Sequence, residues 1–311
     1  MTGTAEGFAH PALWYRDQDE YLAGTVPYLR EGLAAGEPVA VAVPTGNLAP
    51  LRDALGAEAG RVLWRDMTVD GRNPGRIIPA VLLAFANAHP GQRVRIIGEP
   101  TWPGRTSAEY PACVQHEALI NAAFAGRAAS ILCPYDAGRL NPAWVRDTRR
   151  THPVIWDATG HFASHQYDDP LAVAEQLNPP LAEPPPRAAT IWIDLQTLSQ
   201  ARHFVADRAT RAGLSPGRVI DAVVAVNELT VNSVRHGGGA GTLSIWIEAD
   251  QLICQLSDAG HLADPLAGRI PIPPQAPTGG RGLLMVNQVC DLVRIHTAAS
   301  GTTVRVYLHR S

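Results

Sequence analysis

NELTVNSVRHG, residues 227–237, is the stretch on which the reading of this chain turns. It sets a carboxylate and a carboxamide at Glu228 and Asn232, inside a run whose Val219, Val223, Val226, Leu229 and Val234 recur with helical spacing. Side chains at i and i+4 of a helix project from one face, a turn apart. One of the two is then suited to handling a proton, the other to giving a hard cation a neutral oxygen ligand. The same pair also occurs on many solvated helix faces, so its meaning depends on what accompanies it.

Working outward, GTLSIWIEAD (241–250) and QLICQLSDAG (251–260) read as two alternating strands joined through Asp250–Gln251, with Asp258 and Gly260 at the far end. A proline-rich stretch, 263–278, leads to GGRGLLMVNQVCDLV (279–293), where Gly279, Gly280 and Gly282 open a helix. TTVRVYL (302–308) closes the chain as a strand. Backbone N–H groups of Gly280, Arg281 and Gly282 at a helix N-terminus favour polyphosphate. Asn232 supplies an oxygen to Mg2+, Asp258 a carboxylate to an exocyclic amine such as that of adenine, and Glu228 a base for an attacking hydroxyl. Phosphoryl transfer needs positioning and charge neutralisation, and these parts together offer both.

Upstream, ATIWIDL (189–195) is an alternating strand and 197–213 a helix containing His203. A phosphoaccepting histidine normally sits on its own dimerising helical hairpin, for which there is no room here, so His203 reads as a solvated helix residue. NPPLAEPPPRA (178–188) holds five prolines, which exclude helix and sheet interiors and mark an extended linker.

The first half has a different rhythm. PVAVAVP (38–44), RVLWRDM (61–67), RVRIIGEP (93–100) and AASILCPYD (128–136) are strand-like and alternate with helical runs at 19–36, 73–91 and 107–126. Such alternation implies a doubly wound parallel sheet, with ligands beyond the carboxyl ends of its strands. Glu99, Trp102, Arg105 and Tyr135 collect there as candidate pocket residues. Glu99 reads equally well as a strand-end carboxylate bonding backbone donors, and Trp102 as a packing residue. His10, His116 and His152 are candidate metal ligands beside Glu99, with no spacing that groups them. Residues 156–175 show no clear pattern, and a helix is expected at 169–177. The turn TGNLAPL lacks the GxxxxGK[ST] of a nucleotide phosphate loop.

The bulk numbers bound the alternatives. A chain of 311 residues calls for two domains, and a net charge of -3 without a basic stripe argues against general nucleic-acid binding. No stretch approaches 18 uninterrupted apolar residues, and MTGTAEGFAH lacks a signal-peptide pattern, so a cytoplasmic protein is expected. Cys113, Cys133, Cys254 and Cys290 have no metal-type spacing and read as buried thiols.

Two resemblances follow from these motifs. Residues 8–155, through GEPVAVAVP, NPGRII, IIGEPTWPGR, EALIN, LCPYD and THP, resemble the MEDS sensory domain. That implies a RecA/KaiC-like parallel α/β core without a working phosphate loop, and a role in sensing a small molecule. Residues 189–310, through ELTVNSVRHG, DAG, GGRGLLMVNQVCD and GTTVRVYL, resemble the GHKL ATPases. With the upstream ARHFV segment, they are most similar to the anti-sigma-factor serine/threonine kinases.

The second resemblance implies an α+β sandwich with helices on one face of a mixed sheet. It also implies ATP and Mg2+ as ligands, a serine on an anti-anti-sigma (STAS) protein as substrate, a sigma factor as alternative partner, and a homodimer. It assigns Glu228 as base, Asn232 as Mg2+ ligand, Asp258, Gly260 and Thr303 around adenine, and Gly280, Arg281 and Gly282 as phosphate lid. Arg235 and Arg281 read as phosphate contacts or as surface ion-pair partners. The implied organisation is a sensory domain at 8–177, a linker at 178–188 and an ATPase domain at 189–311.

One residue departs from the pattern: DAGHL carries Leu262 where the family often has glycine. A bulkier side chain reshapes the adenine pocket and leaves open a weak or inactive nucleotide site. The alternatives are therefore a serine kinase under sensory control and a partner-binding switch in which nucleotide is structural, with a histidine kinase using His203 a distant third.

Overall fold

The computed structural model describes residues 7–272 and 280–310. The chain forms two compact units, Met1–Leu177 and Asn178–Ser311.

The first unit is built on β1 (Phe8–Ala9), β2 (Pro11–Tyr15), β3 (Val39–Val43), β4 (Val62–Asp66), β5 (Val94–Gly98), β6 (Ala129–Asp136), β7 (Val154–Asp157) and β8 (Gly160–Ala163). They run in the order β4-β3-β5-β6-β2-β7-β8, with β1 also on β6. Every pairing is parallel except β7 with β8. The VAVAV run of β3 and the whole of β6 are buried, as strands covered on both faces must be. Helix Gln18–Ala34 starts on Asp17, whose carboxylate accepts from Glu20 N at 2.9 Å, and Gly36 stops it with φ +71°. Helix Tyr110–Ala123 carries buried residues along most of its length.

Two features of this unit escape pattern reading. The FAHPALWY segment becomes β1 and β2, and β2 lies between β6 and β7 in the middle of the sheet. The stretch without a clear pattern opens with the short antiparallel hairpin of β7 and β8, too exposed on β8 to show alternation. The helix expected at 169–177 spans Pro170–Gln176, capped by Asp169.

The second unit contains β9 (Ala189–Asp194), β10 (Ala240–Glu248), β11 (Gln251–Asp258), β12 (Leu292–Ala298) and β13 (Gly301–His309), in the order β12-β13-β11-β10-β9. All four pairings are antiparallel, which corrects the mixed sheet that the resemblance implied. The β10–β11 turn is centred on Ala249 and Asp250, because Glu248 pairs with Gln251 and Ala249 takes φ +50°. Leu252, Cys254 and Leu256 of β11, with Val304, Val306 and Leu308 of β13, form one buried face packed with residues of helices Leu198–Arg211, Pro216–His236 and Arg281–Val289. The long helix begins at Ser215 and Pro216, suited to an N-cap and a first helical position, and stops at Gly237.

No helix or strand forms at 178–188. Asn178 is nonetheless fixed: its Nδ2 donates to Thr297 O at 2.7 Å, and its Oδ1 accepts from Thr297 N at 2.9 Å. Among the described residues no helix is long and apolar enough to cross a membrane.

Gly301 opens β13 with φ +143°, and a side-chain Cβ there would collide with the Asp258 carbonyl oxygen. Gly301→Ala should therefore destabilise the second unit by at least about 2 kcal/mol. Urea unfolding followed by circular dichroism would show it as an earlier transition of that unit, with the transition of the first unit unmoved.

Candidate functional site

Helix Pro216–His236 presents Glu228 and Asn232 on one face, both half-buried. The N-terminus of helix Arg281–Val289 lies directly against them. A Cβ on Gly282 would stand 2.9 Å from Glu228 Oε2 and 3.2 Å from Asn232 Nδ2, so only glycine lets the backbone come this near without displacing either side chain. Gly280, immediately before that helix, has φ +76°, which also favours glycine.

Beneath this meeting point lies a cavity of about 560 Å³, within the range of small-molecule and cofactor sites. Asn232, Asp258, Gly260, Leu262, Gly282 and Thr302 are among its walls. Asp258 Oδ1 accepts from Gly260 N at 2.8 Å. Thr302 Oγ1 donates to Gly260 O at 2.8 Å and is 2.8 Å from Thr297 Oγ1, which accepts from Leu262 N at 2.9 Å. Leu262 is thus a wall residue whose backbone is tied to the neighbouring strand.

Thr303, expected around adenine, faces the other way. Register pairs Asp258 with Thr302 and Ser257 with Thr303, and successive strand residues alternate between faces. Thr303 Oγ1 accordingly meets Ser257 Oγ at 3.0 Å on the face away from the helices, and Thr302 takes the cavity position. Gly279 lies outside the described residues, as does 273–278 of the proline-rich stretch.

Glu228 has further support. Asn227 Nδ2 donates to its Oε1 at 3.3 Å, and Arg202 Nη1 donates to Asn227 Oδ1 at 3.2 Å, so the ARHFV helix orients the carboxylate through one intermediate side chain. Arg218 joins Asp221 and the Val289 carbonyl, at 2.7 and 2.8 Å, and also pairs with Asp291, bracing the far end of the second helix. His203 is exposed and bonds Ser199 O through Nδ1 at 2.8 Å.

In the first unit the four candidate pocket residues have three settings, with Arg105 and Trp102 together. Glu99 is buried and accepts from Tyr15 Oη at 3.1 Å and Asn47 Nδ2 at 2.8 Å. Burial pushes its carboxyl up to about 8 against the lowering effect of those two bonds. Arg105 is a brace: Nε donates to Pro100 O, Nη1 to Arg72 O and Glu109, and Nη2 to Gly71 O, at 2.6–3.0 Å. Its guanidinium stacks 3.8 Å over the ring of Trp102. Tyr135 turns toward His152, with ring centroids 5.6 Å apart.

The histidines are grouped, though not around Glu99. His10 and His152 converge on Glu117 and Cys133, all four buried, with one ligand-type atom from each lying within 4.8 Å of the others. His116 is not of this group. Burial, with His152 alongside, lowers the His10 imidazole to about 4. Sequence reading missed Glu117 and Cys133, which lie in an ordinary helix and an ordinary buried strand.

Comparison with known proteins divides the chain at the same motifs. Residues 9–153 match the family model of MEDS, the MEthanogen/methylotroph, DcmR Sensory domain. Residues 191–308 match that of the histidine kinase-like ATPase domain. No curated protein matches the chain. Among solved structures, it is similar to the RsbU and RsbW domains of Rv1364c from Mycobacterium tuberculosis, at 19% identity over 40% of this chain and 33% of that one, with a TM-score of 0.31. It is also similar to the Acinetobacter baumannii histidine kinase AdeS, at 13% identity over 40% of this chain and 69% of that one, with a TM-score of 0.25. The chain therefore spans only a third of the length of the Mycobacterium structure, and likenesses at these scores say nothing about chemistry.

The Glu99 setting has a thermodynamic consequence. Between 4.5, the ordinary value, and about 8, the folded chain keeps a proton that the unfolded chain releases. The unfolded state then binds fewer protons, so this group's contribution falls as pH rises through that window and is level above it. Urea unfolding of wild type and Glu99→Gln from pH 5 to 8 should show the stability difference between them shifting steadily in favour of the variant. A difference independent of pH would mean that Glu99 is ionised throughout.

Proposed function

We propose that this chain, a MEDS sensory domain joined to a histidine kinase-like ATPase domain, is an anti-sigma regulatory kinase. In this reading it transfers a phosphoryl group from ATP to a serine of a small anti-anti-sigma (STAS) partner, or alternatively sequesters a sigma factor. The RecA/KaiC-like first unit would tune that choice by sensing a small molecule, and the protein would act in the bacterial cytoplasm as a regulator of transcription. The observation that carries the proposal is the approach of Gly282 to Glu228 and Asn232 at the mouth of the 560 Å³ cavity.

The residues present fit Mg2+-ATP. The cavity has the volume for a nucleotide, and Asp258 uses Oδ1 on Gly260 N, which leaves Oδ2 to accept from an exocyclic amine. The backbone N–H groups of Arg281 and Gly282 open a helix of nine residues, where the helix dipole favours phosphate. Asn232 offers Mg2+ a neutral oxygen, and the bound ion would neutralise phosphate oxygens. Glu228, one turn away and held by Asn227, accepts the proton of the attacking serine hydroxyl.

A second reading rests on Leu262. Its place in the cavity wall narrows the space for a base, which favours a partner-binding switch with nucleotide as a structural ligand at most. Calorimetry with ATP and Mg2+ separates the two, since a full chain that binds no nucleotide is a switch. His203 would act only in a histidine kinase, and its exposed imidazole has no carboxylate among its hydrogen-bond partners to activate it.

The kinase reading divides the labour between two residues. Glu228→Ala should lower transfer to a cognate STAS protein by about 10²–10⁴-fold while nucleotide affinity stays within a few-fold. Asn232→Ala should instead abolish the Mg2+-dependent part of nucleotide binding. Transfer rates from radiolabelled ATP and calorimetry with and without Mg2+ test the pair, and equal rates in wild type and Glu228→Ala would end the assignment of a base.

A further inference from the structure

The His10–Glu117–Cys133–His152 cluster has no part in phosphoryl transfer, and hydrogen bonding satisfies only part of it. His10 Nε2 and His152 Nε2 each stand 3.3 Å from the same oxygen, Glu117 Oε2, and His10 Nε2 is 3.3 Å from Cys133 Sγ. Both carboxylate oxygens of Glu117, and His152 Nε2, are buried without a hydrogen-bond partner. Leaving such groups unsatisfied away from water costs several kcal/mol, and native structures rarely do so.

The partners of the two rings show which atoms face inward. His10 Nδ1 lies 3.1 Å from Asn121 Oδ1, and Asn121 is fixed in that orientation because its Nδ2 donates to Thr151 O at 2.8 Å. His152 Nδ1 lies 3.0 Å from the Thr148 carbonyl oxygen. With the proton of each ring on Nδ1, toward these acceptors, both Nε2 lone pairs are directed at the Glu117 carboxylate, and that of His10 also at Cys133 Sγ. The Cys133 thiol hydrogen is then the one proton available to four converging electron-rich atoms. Imidazoles held through Nδ1–H to a carbonyl or side-chain oxygen, with Nε2 directed inward, are the usual outer shell of a metal site.

We propose that the first unit binds a divalent transition metal, best matched by zinc, through His10 Nε2, His152 Nε2, Glu117 Oε2 and Cys133 Sγ. Tetrahedral bonds of about 2.0–2.1 Å place neighbouring nitrogen and oxygen donors about 3.3 Å apart. That is the separation found on both imidazole–carboxylate edges. Two nitrogens, one oxygen and one sulfur suit zinc better than magnesium or calcium, which take oxygen. The ligands come from the residue between β1 and β2, the middle of helix Tyr110–Ala123, β6 and the residue that caps helix Pro142–Thr151, so the ion would tie together elements far apart in the chain. A cavity of about 10 Å³ beside Glu117, walled also by Thr101, Tyr135 and Thr151, has room for roughly one water-sized molecule next to the metal. With four protein ligands the ion would be a closed, structural one.

The test uses the full chain stripped with a chelator and titrated with Co2+. Visible d–d bands of a four-coordinate ion, with a near-ultraviolet thiolate-to-metal charge-transfer band, should saturate at one equivalent and disappear when Zn2+ is added. Cys133→Ser should lose the charge-transfer band, and Asn121→Ala should weaken Zn2+ binding about 10–100-fold while keeping it. A folded wild-type chain that takes up no Co2+, or a charge-transfer band that persists in Cys133→Ser, overturns the proposal. The wild-type titration decides even if a variant fails to fold, and neither result depends on kinase activity.

Discussion

The second unit is organised around the crowding of backbone at Asp258. A Cβ on Gly237 would strike its carboxylate, and one on Gly301 its carbonyl oxygen. The end of helix Pro216–His236 and the β12–β13 turn therefore reach the last residue of β11 only as bare backbone. Close approach on two sides fixes the carboxylate while the third side stays open to the cavity. Gly282 repeats the arrangement at the other end, where backbone lies against Glu228 and Asn232. The cavity is thus framed by glycines at each end, placed by contact distance more than by turn geometry.

This explains why the second unit could be read from sequence. ExxxN, DxG and GxG are local patterns whose spacing follows from helix and strand periods, and their order along the chain is the order in which one site needs them. Where two equivalent residues stood side by side, the motif could not choose: GTT does not say which threonine faces inward, and only the pairing of Asp258 with Thr302 settles it. The absence of any parallel pair in that sheet was equally invisible, since strand direction depends on connections between segments that each look alike.

The first unit was legible as alternating strands and helices and opaque as a site. His10, Glu117, Cys133 and His152 span most of its length and share no spacing, because a parallel sheet joins residues through crossovers that leave no short-range trace. β2 was missed for a related reason. Pro11 breaks the apolar run, and that position tolerates it only because β2 begins there. The unit also holds two equally buried glutamates in different settings. Glu99 accepts from Tyr15 and Asn47, and burial raises its carboxyl, whereas Glu117 faces two imidazole nitrogens and has no hydrogen-bond donor on either oxygen.

Leu262 joins the adenine motif to the strand beside it. Its bulk departs from the glycine that the resemblance leads one to expect, yet its backbone N–H is held by Thr297, whose own N–H and carbonyl are held by Asn178. Thr302 closes the chain of bonds through Thr297 to Gly260, the glycine that anchors Asp258. The cavity wall is therefore not set by the adenine motif alone. It is set jointly by that motif and by Asn178, the first residue of the second unit, so the wall is braced from within that unit. The cavity of about 560 Å³ lies beside the Leu262 side chain.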